Sequence, residues 1–340
     1  MKSMSNMLRK LIFPVLCAVA SLTMTGANVA QAQENAELLT SQETEPSNHE
    51  SVIATESVIV PEIVEEVQID LPSATEEDVF VSATMGTDFT KAVSPENAPF
   101  QINGAGADVT LEIIQGVTYV PLLATAELLD ASATCTWHAG SNVATVTSSA
   151  LELSATANAL YLVANGRYLY VPETLKPLEG DVLVPLSTLT RAFDATLYWD
   201  PLTSIITVTT GSGGILSGDQ FYNADDLFWL SRVVFAESGS EPLEGKMGVA
   251  IVVYNRIADD WYPSTVLGVL SQKNQFTTYQ NGALANRTPN ESSIIASKLV
   301  MDGGVVEEIA NATHFDSISG SWASKNLDTI LVIGGHTFYG

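Results

Sequence analysis

Positive charge is scarce in this chain: 14 lysines and arginines stand against 39 aspartates and glutamates, a net charge of −25 over 340 residues. A chain so acidic is not built to hold nucleic acid by neutralising phosphates. Cysteine is nearly absent, with only Cys17 and Cys135, which leaves no disulfide framework and no cysteine-based metal knot. Histidine occurs four times, at positions 49, 138, 314 and 336, and never as a His-x-x-x-His pair. Neither a Gly-x-Ser-x-Gly elbow nor a phosphate-binding glycine loop occurs, which removes the serine-hydrolase and nucleotide-dependent readings. Past the first 32 residues no apolar run reaches the length of a membrane span. No cofactor is implied.

Residues 1–32 have the pattern of a signal peptide: basic Lys2, Arg9 and Lys10, an apolar run from Leu11 to Met24, and Ala30-Gln-Ala32 as a cleavage site. Leu16, before Cys17, is larger than the small residue a lipidation site takes, so a free, secreted protein is expected. Cleavage would change the net charge from −25 to −28, by removing Lys2, Arg9 and Lys10, and leave Cys135 without a partner. In an alternating strand pattern, Cys135 reads as an inert, buried thiol. Residues 33–97 carry 15 acidic residues and one basic residue, Lys91, with Phe80 and Phe89 as the sole aromatics. Such a segment repels itself and cannot bury a core, so it is expected to be a disordered acidic tether.

Residues 98–210 contain an internal repeat. Gly116-Val-Thr-Tyr-Val-Pro-Leu returns as Gly180-Asp-Val-Leu-Val-Pro-Leu, with offsets of 64 residues from Pro121 to Pro185 and 62 from Trp137 to Trp199. Asn103-Gly104 and Asn165-Gly166 mark matching tight turns. Each unit reads as a strand, a short helix and two more strands, with its tryptophan in the core or, alternatively, presented to a glycan. The Val-Pro-Leu start and Trp-Asp finish resemble the copper amine oxidase N-terminal-like domain, an α+β stalk module. Its usual arginine after Val-Pro-Leu is replaced by Leu123 and Ser187. Copper is not implied, because His138 is the one histidine of the segment and a copper site wants several imidazoles. Gly211-Ser-Gly-Gly-Ile-Leu-Ser-Gly218 has the composition of a flexible hinge.

The rest of the chain, 219–340, is organised around Leu227-Phe-Trp-Leu-Ser-Arg-Val-Val-Phe-Ala-Glu237. Asn223, with Asp226 three residues on, signals a helix start. Leu227, Leu230, Val233 and Val234 recur at helical spacing, and Glu237 continues their face. Gly239 supplies the stop, Ser240 is placed to cap a second helix, and Glu241 would complement its start. The second helix, to Ile257, is apolar nearly all round and should be the buried centre of the domain. A carboxylate on an apolar face, at the negative end of a helix, has two reasons to keep its proton, as a general acid must. The plainer alternative is an ordinary carboxylate at a helix end.

The wider text favours the acid. Glu237-Ser-Gly-Ser-Glu-Pro-Leu-Glu-Gly245, the segment 248–257, Pro263-Ser-Thr-Val-Leu-Gly-Val-Leu270, Asn274-Gln-Phe-Thr277, Thr313-His-Phe315, Trp322 and Ile333-Gly-Gly-His-Thr-Phe-Tyr339 resemble the SleB/CwlJ family of spore-cortex-lytic cell-wall hydrolases. That resemblance implies a lysozyme-like, lytic transglycosylase-like α+β catalytic domain with peptidoglycan as substrate and partner, and Glu237 as the catalytic residue. Gln275, Phe276, Thr277, His314, Trp322, His336 and Tyr339 become the candidate substrate-binding residues, through stacking on sugar rings and hydrogen bonds to hydroxyl and acetamido groups. A lytic transglycosylase needs one acid/base, because the sugar's own C6 hydroxyl attacks; a muramidase often needs a second carboxylate. Two alternatives remain: a zinc-dependent N-acetylmuramoyl-L-alanine amidase using His314 and His336, and a non-catalytic cell-wall-binding protein. A monomer is expected, without a metal.

Amide exchange across residues 33–97 of the protein lacking its leader is expected to be fast throughout. Slow exchange over that segment would overturn the tether reading.

Overall fold

The Asn-Gly turns and the two Val-Pro-Leu strands account for the architecture of the stalk. In the computed structural model, residues 100–318 and 320–340 are described; the leader 1–32 and the tether 33–97 lie outside them. The first half of the repeat comprises β1 (Phe100–Ile102), β2 (Ala105–Gly106), β3 (Glu112–Ile114), β4 (Val117–Pro121), α1 (Leu122–Leu129), β5 (Thr134–His138) and β6 (Val143–Thr147). A connecting strand, β7 (Glu152–Thr156), leads to the second half: β8 (Tyr161–Ala164), β9 (Arg167–Tyr170), β10 (Lys176–Leu178), β11 (Asp181–Pro185), α2 (Leu186–Ala192), β12 (Thr196–Trp199) and β13 (Ile206–Thr209). Both residues of Asn103-Gly104 and of Asn165-Gly166 have positive φ, the geometry that lets a two-residue loop follow the twist of its strands.

The halves are interlocked rather than juxtaposed. β4 and β11 pair antiparallel, Val120 facing Val184. The first hairpin of each half joins the last strands of the other: β1 runs parallel to β13, while β8 reaches β6 through β7. One hydrophobic core results, drawing Val120, Leu122 and Leu129 from one half and Val184, Leu186, Leu189 and Phe193 from the other. Trp137, Trp199 and Cys135 pack half-buried against it. Helix α1 starts after Pro121, which offers no capping side chain. The buried carboxylate of Asp181, from the second half, accepts the Leu123 N–H instead, at 3.0–3.1 Å.

The glycine-rich segment 211–218 is fastened down, contrary to its hinge-like composition. The Ile215 N–H donates to Ala192 O at 3.1 Å, and Asn165 Nδ2 donates to Ile215 O at 2.7 Å. Ile215 joins the stalk core. Its glycines serve close approach of two backbones instead of freedom.

Beyond it come α3 (Gly218–Phe221), α4 (Ala224–Ser238), α5 (Leu243–Ile257), α6 (Val266–Ser271), α7 (Thr277–Gln280), α8 (Glu291–Met301), β14 (His314–Asp316), α9 (Trp322–Asn326), β15 (Thr329–Ile333) and β16 (His336–Tyr339). The Asn223 side chain caps α4 by accepting from the Asp226 N–H, and Asn290 caps α8 by accepting from Ser293. Every residue of α5 from Gly245 to Val253 is buried, including Lys246, whose ammonium donates to Glu241 O; the run 247–253 is apolar all round and has no face to turn to water. α4 and α8 lie against it on one side, and the antiparallel sheet β14-β16-β15 closes another. Gly248 is the crossing point with that sheet: a Cβ there would stand 2.3 Å from the Phe338 ring.

All described residues belong to one compact unit, and β9 explains why. It is the edge of the five-stranded sheet, and an uncovered edge offers unpaired backbone groups. α8 packs along it. Leu169 points into the stalk core, whereas Tyr168 and Tyr170 pack on the hydrophobic core of the C-terminal domain. At the end of α8, the buried carboxylate of Asp302 accepts from Arg167 Nε at 3.0 Å and Nη2 at 2.6 Å, from Tyr222 Oη at 2.8 Å, and from Arg191. These are the ion pairs among the described residues. No helix among those residues is long and apolar enough to cross a membrane.

Neither half of the repeat is expected to fold alone, because each would expose the face that the other covers. Cooperative thermal unfolding of an isolated half, followed by circular dichroism, would contradict the shared core.

Candidate active site

Glu237 is the penultimate residue of α4, on the face that carries Leu230, Val233 and Val234 into the core. The helix ends at Gly239 in a right-handed conformation, φ −54°, so the stop does not use the left-handed glycine cap expected from the sequence. Half-buried, the Glu237 carboxylate receives a long 3.4 Å hydrogen bond from the Thr278 hydroxyl on α7. Burial raises its pKa above the ordinary glutamate value; the Thr278 bond and the charge of Arg287 act the other way and are outweighed. It takes part in no ion pair. This is a carboxyl group held towards its protonated form by desolvation, with a hydroxyl neighbour.

Glu241 has a different task from the one its position suggests. It precedes α5, whose cap is Pro242, and Ser240 does not cap that helix. The Glu241 carboxylate turns to the C-terminal hairpin and accepts the Gly335 N–H at 2.8 Å. The approach is so close that a Cβ on Gly334, which has φ +59°, would lie 2.0 Å from Glu241 Oε2. The two glycines before His336 are therefore a seat for Glu241, and that carboxylate already has a backbone partner.

The sequence-derived binding candidates divide into two groups. Gln275, on the loop before α7, and Thr277, its first residue, are exposed, and Trp322 is 63% exposed, its ring centroid 5.6 Å from that of half-buried His314. These four can meet a ligand. Phe276, His336 and Tyr339 cannot present a face to one: they are 4%, 5% and 3% exposed. Phe276 is part of the core around α5, and His336 packs edge-on against Phe315. Tyr339 donates its hydroxyl to Asp316 at 3.1 Å. On β16, His336 shares the buried side of the strand with Phe338, and Tyr339, on the other face, is covered as well.

Arg256 was not legible as part of this region. Buried near the end of α5, it donates to Thr313 O at 2.8 Å and to Gln275 Oε1 at 2.9 Å. It thereby joins the loop of Gln275 to the strand of His314. Burial and the Arg256 charge both lower the His314 pKa. Arg287 and Asn290 were likewise missed, although an asparagine just before a helical run is a cap signal. Asn290 Nδ2 donates to Gly239 O at 3.2 Å and so ties α8 to the end of α4. Among the described residues no three His, Cys, Asp or Glu side chains are grouped to hold a metal ion. A cavity of about 250 Å³ belongs to the stalk, lined by Tyr119, Tyr170, Glu173, Leu197 and Trp199 among others, and has no residue in common with the surroundings of Glu237.

Comparison with known proteins agrees with this division of the chain. Residues 240–339 match the family model for cell wall hydrolases, and residues 101–212 match that for the copper amine oxidase N-terminal domain. Glu237 lies three residues before the first of these matches begins. A spore cortex-lytic enzyme of Bacillus cereus is 31% identical over 121 residues, 34% of this chain and 45% of that protein. One from Oceanobacillus iheyensis is 32% identical over 132 residues, 38% of this chain and 46% of its own length. The chain thus spans less than half the length of the curated relatives it matches. The solved catalytic domain of the germination-specific lytic transglycosylase SleB from Bacillus anthracis is 29% identical, with a TM-score of 0.32, over 37% of this chain and all of that one. Residues 240–339 are thus similar to cell wall hydrolases, and the segment before them, 101–212, to the copper amine oxidase N-terminal domain.

Proposed function

We propose that this is a secreted, wall-associated and monomeric enzyme that cleaves the glycan backbone of peptidoglycan, as a lytic transglycosylase or a muramidase, with Glu237 as general acid and base. In this reading a leader (1–32) and an acidic tether (33–97) precede the stalk (98–210) and the catalytic domain (219–340). The observation that carries it is the unpaired, desolvated carboxyl group of Glu237 beside Thr278. The relatives named as cortex-lytic enzymes support the substrate class. The protonated Glu237 gives its proton to the glycosidic oxygen as the C1–O bond breaks. The resulting carboxylate then takes the proton of the C6 hydroxyl as that oxygen bonds to C1, closing an anhydro sugar and restoring the acid. If water takes the place of the C6 hydroxyl, the product is a reducing end. The single-acid route is the better supported, because Glu241, the nearest second carboxylate in sequence, is engaged by Gly335. Gln275, Thr277, His314 and Trp322 are the residues proposed to meet the glycan. Among the described residues no third ligand is grouped with His314 and His336 for the amidase alternative, and a chelator is expected to leave activity intact.

Glu237→Gln is expected to lower kcat by about 10²–10⁴-fold, the usual worth of acid–base assistance, with substrate binding little changed. Release of muropeptides by the folded variant at the parent rate would sink this reading. Mass analysis of the parent's products separates the routes: anhydro ends for the transglycosylase, reducing ends for the muramidase, freed peptides for the amidase.

Stability should move in the opposite direction. A glutamate whose pKa is raised on folding binds its proton more tightly in the native state, so its burial costs nothing below the unfolded-state pKa. The cost grows as pH rises towards the raised value and is complete above it. Glu237→Gln is therefore expected to melt higher than the parent at neutral pH and at the same temperature near pH 4, by calorimetry. Parent activity should decline as pH rises through the raised pKa, where the acid loses its proton.

Glu241→Gln retains a carbonyl oxygen for the Gly335 N–H and is expected to keep most of the activity. Glu241→Ala removes the acceptor of an exposed N–H and should lower the melting temperature modestly, for about 0.5–1.5 kcal/mol of stability, the net worth of one hydrogen bond.

A further inference from the structure

We propose that the stalk is a positioning element of the active site: Asp302, clasped by Arg167, Arg191 and Tyr222, fixes α8, and α8 in turn holds the chain end that carries Glu237. The proposal rests on Glu237 being the catalytic acid.

Both caps of α8 are points of attachment. At its C-terminal end the cap residue is Asp302, whose side chain is 1% exposed and whose N–H bonds back to Lys298 O at 2.9 Å. Two stalk arginines reach it, Arg167 from β9 and Arg191 from α2, and Arg191 also donates to its backbone carbonyl at 2.7 Å. At its N-terminal end the cap residue is Asn290. Its Oδ1 accepts the Ser293 N–H at 2.9 Å, and its Nδ2 donates to Gly239 O, two residues past Glu237. Between the caps lies an unbroken helix of 11 residues, about 16 Å long.

That rod is stiff in its seat. Ser293, Ala296 and Ser297 are fully buried, and side chains this small bring α8 close to α4 and α5. Close-packed interiors pass a displacement on instead of absorbing it. A shift of Asp302 therefore reaches Asn290, and with it Gly239 and the preceding loop that holds Arg287. A second stalk contact acts on the same region. Tyr170, also on β9, donates its hydroxyl to Glu244 Oε1 at 2.7 Å in the first turn of α5. The α4–α5 connection, with Gly239 and Glu241, is thus bracketed by two side chains of one stalk strand.

A purely adhesive interface would not need a buried charge. Apolar residues of like volume hold two surfaces together as well as a buried ion pair does or better, whereas a carboxylate with four donors permits one arrangement only. The hydrogen bonds at Asp302 specify where α8 ends, to within the tolerance of bond geometry.

The test uses the full chain. Arg167→Met removes the bidentate pair, Arg167→Lys restores a charge, and Asn290→Ser keeps a capping oxygen for α8 without adding charge while removing the amide donor to Gly239. Each is assayed on peptidoglycan well below its own melting temperature. Glu237 is followed by carboxyl ¹³C resonance, assigned by its loss in Glu237→Gln. For Arg167→Met and Asn290→Ser we expect kcat to fall about tenfold with KM within twofold, as for a small misplacement of the acid. The Glu237 titration should shift towards an ordinary glutamate, and Arg167→Lys should recover most of both. Parent kcat and parent titration in Asn290→Ser and in folded Arg167→Met would overturn the proposal and leave the clasp a structural tie. If Arg167→Met does not fold, Arg191→Met, at the more exposed arginine of the clasp, takes its place with the same expectation. An active Glu237→Gln would remove the catalytic reading, and the resonance would still report whether the clasp sets the environment of Glu237.

Discussion

Helix α5 is enclosed throughout between Gly245 and Val253, Lys246 included, and the C-terminal domain is arranged to meet that constraint. α4 and α8 cover it together, and the small sheet β14-β16-β15 lies across it at Gly248. Covering α5 obliges α4 to run beside it to the last turn, which takes Glu237 out of full solvent. The raised pKa of that carboxyl group is thus a by-product of burying an apolar helix. What distinguishes Glu237 from the other carboxylates here is the lack of compensation. Glu241 has a backbone donor and Asp302 has two arginines and a tyrosine, while Glu237 has one long bond from a hydroxyl.

The stalk is equally governed by what must be covered. Its halves exchange their first hairpins, so neither owns a complete core, and Asp181 of one half caps the helix of the other. Closure still leaves β9 as an edge, and the C-terminal domain supplies the cover in α8. Tyr168 and Tyr170 face one domain and Leu169 the other, the two-sided alternation of a strand used at an interface. The glycine-rich link 211–218 follows the stalk surface as part of the same assembly, so the boundary between domains is a packed one.

Composition and periodicity determined much on their own. The repeat from Val-Pro-Leu to Trp, the tight turns at Asn103 and Asn165, the capped helix ending at Glu237 and the buried α5 all follow from local rules: positive φ, capping groups and the spacing of apolar residues. The candidate acid was legible for the same reason, since its place on the apolar face of α4 is a matter of helical spacing.

What only the tertiary structure decided is which polar group meets which partner across the chain. Spacing could not show that Glu241 looks to Gly335, 94 residues on, or that Arg167 and Asp302 meet across 135. Nor could it separate the aromatics: Phe276 and Trp322 read alike as sugar platforms, yet one is sealed in the core and the other lies 63% exposed. The glycines of 211–218 look like freedom in sequence and prove to be contact in space. Local patterns report the torsions and the amphipathic face of a segment, whereas burial and pairing depend on what other segments bring to it, and that is settled only when the whole chain has packed.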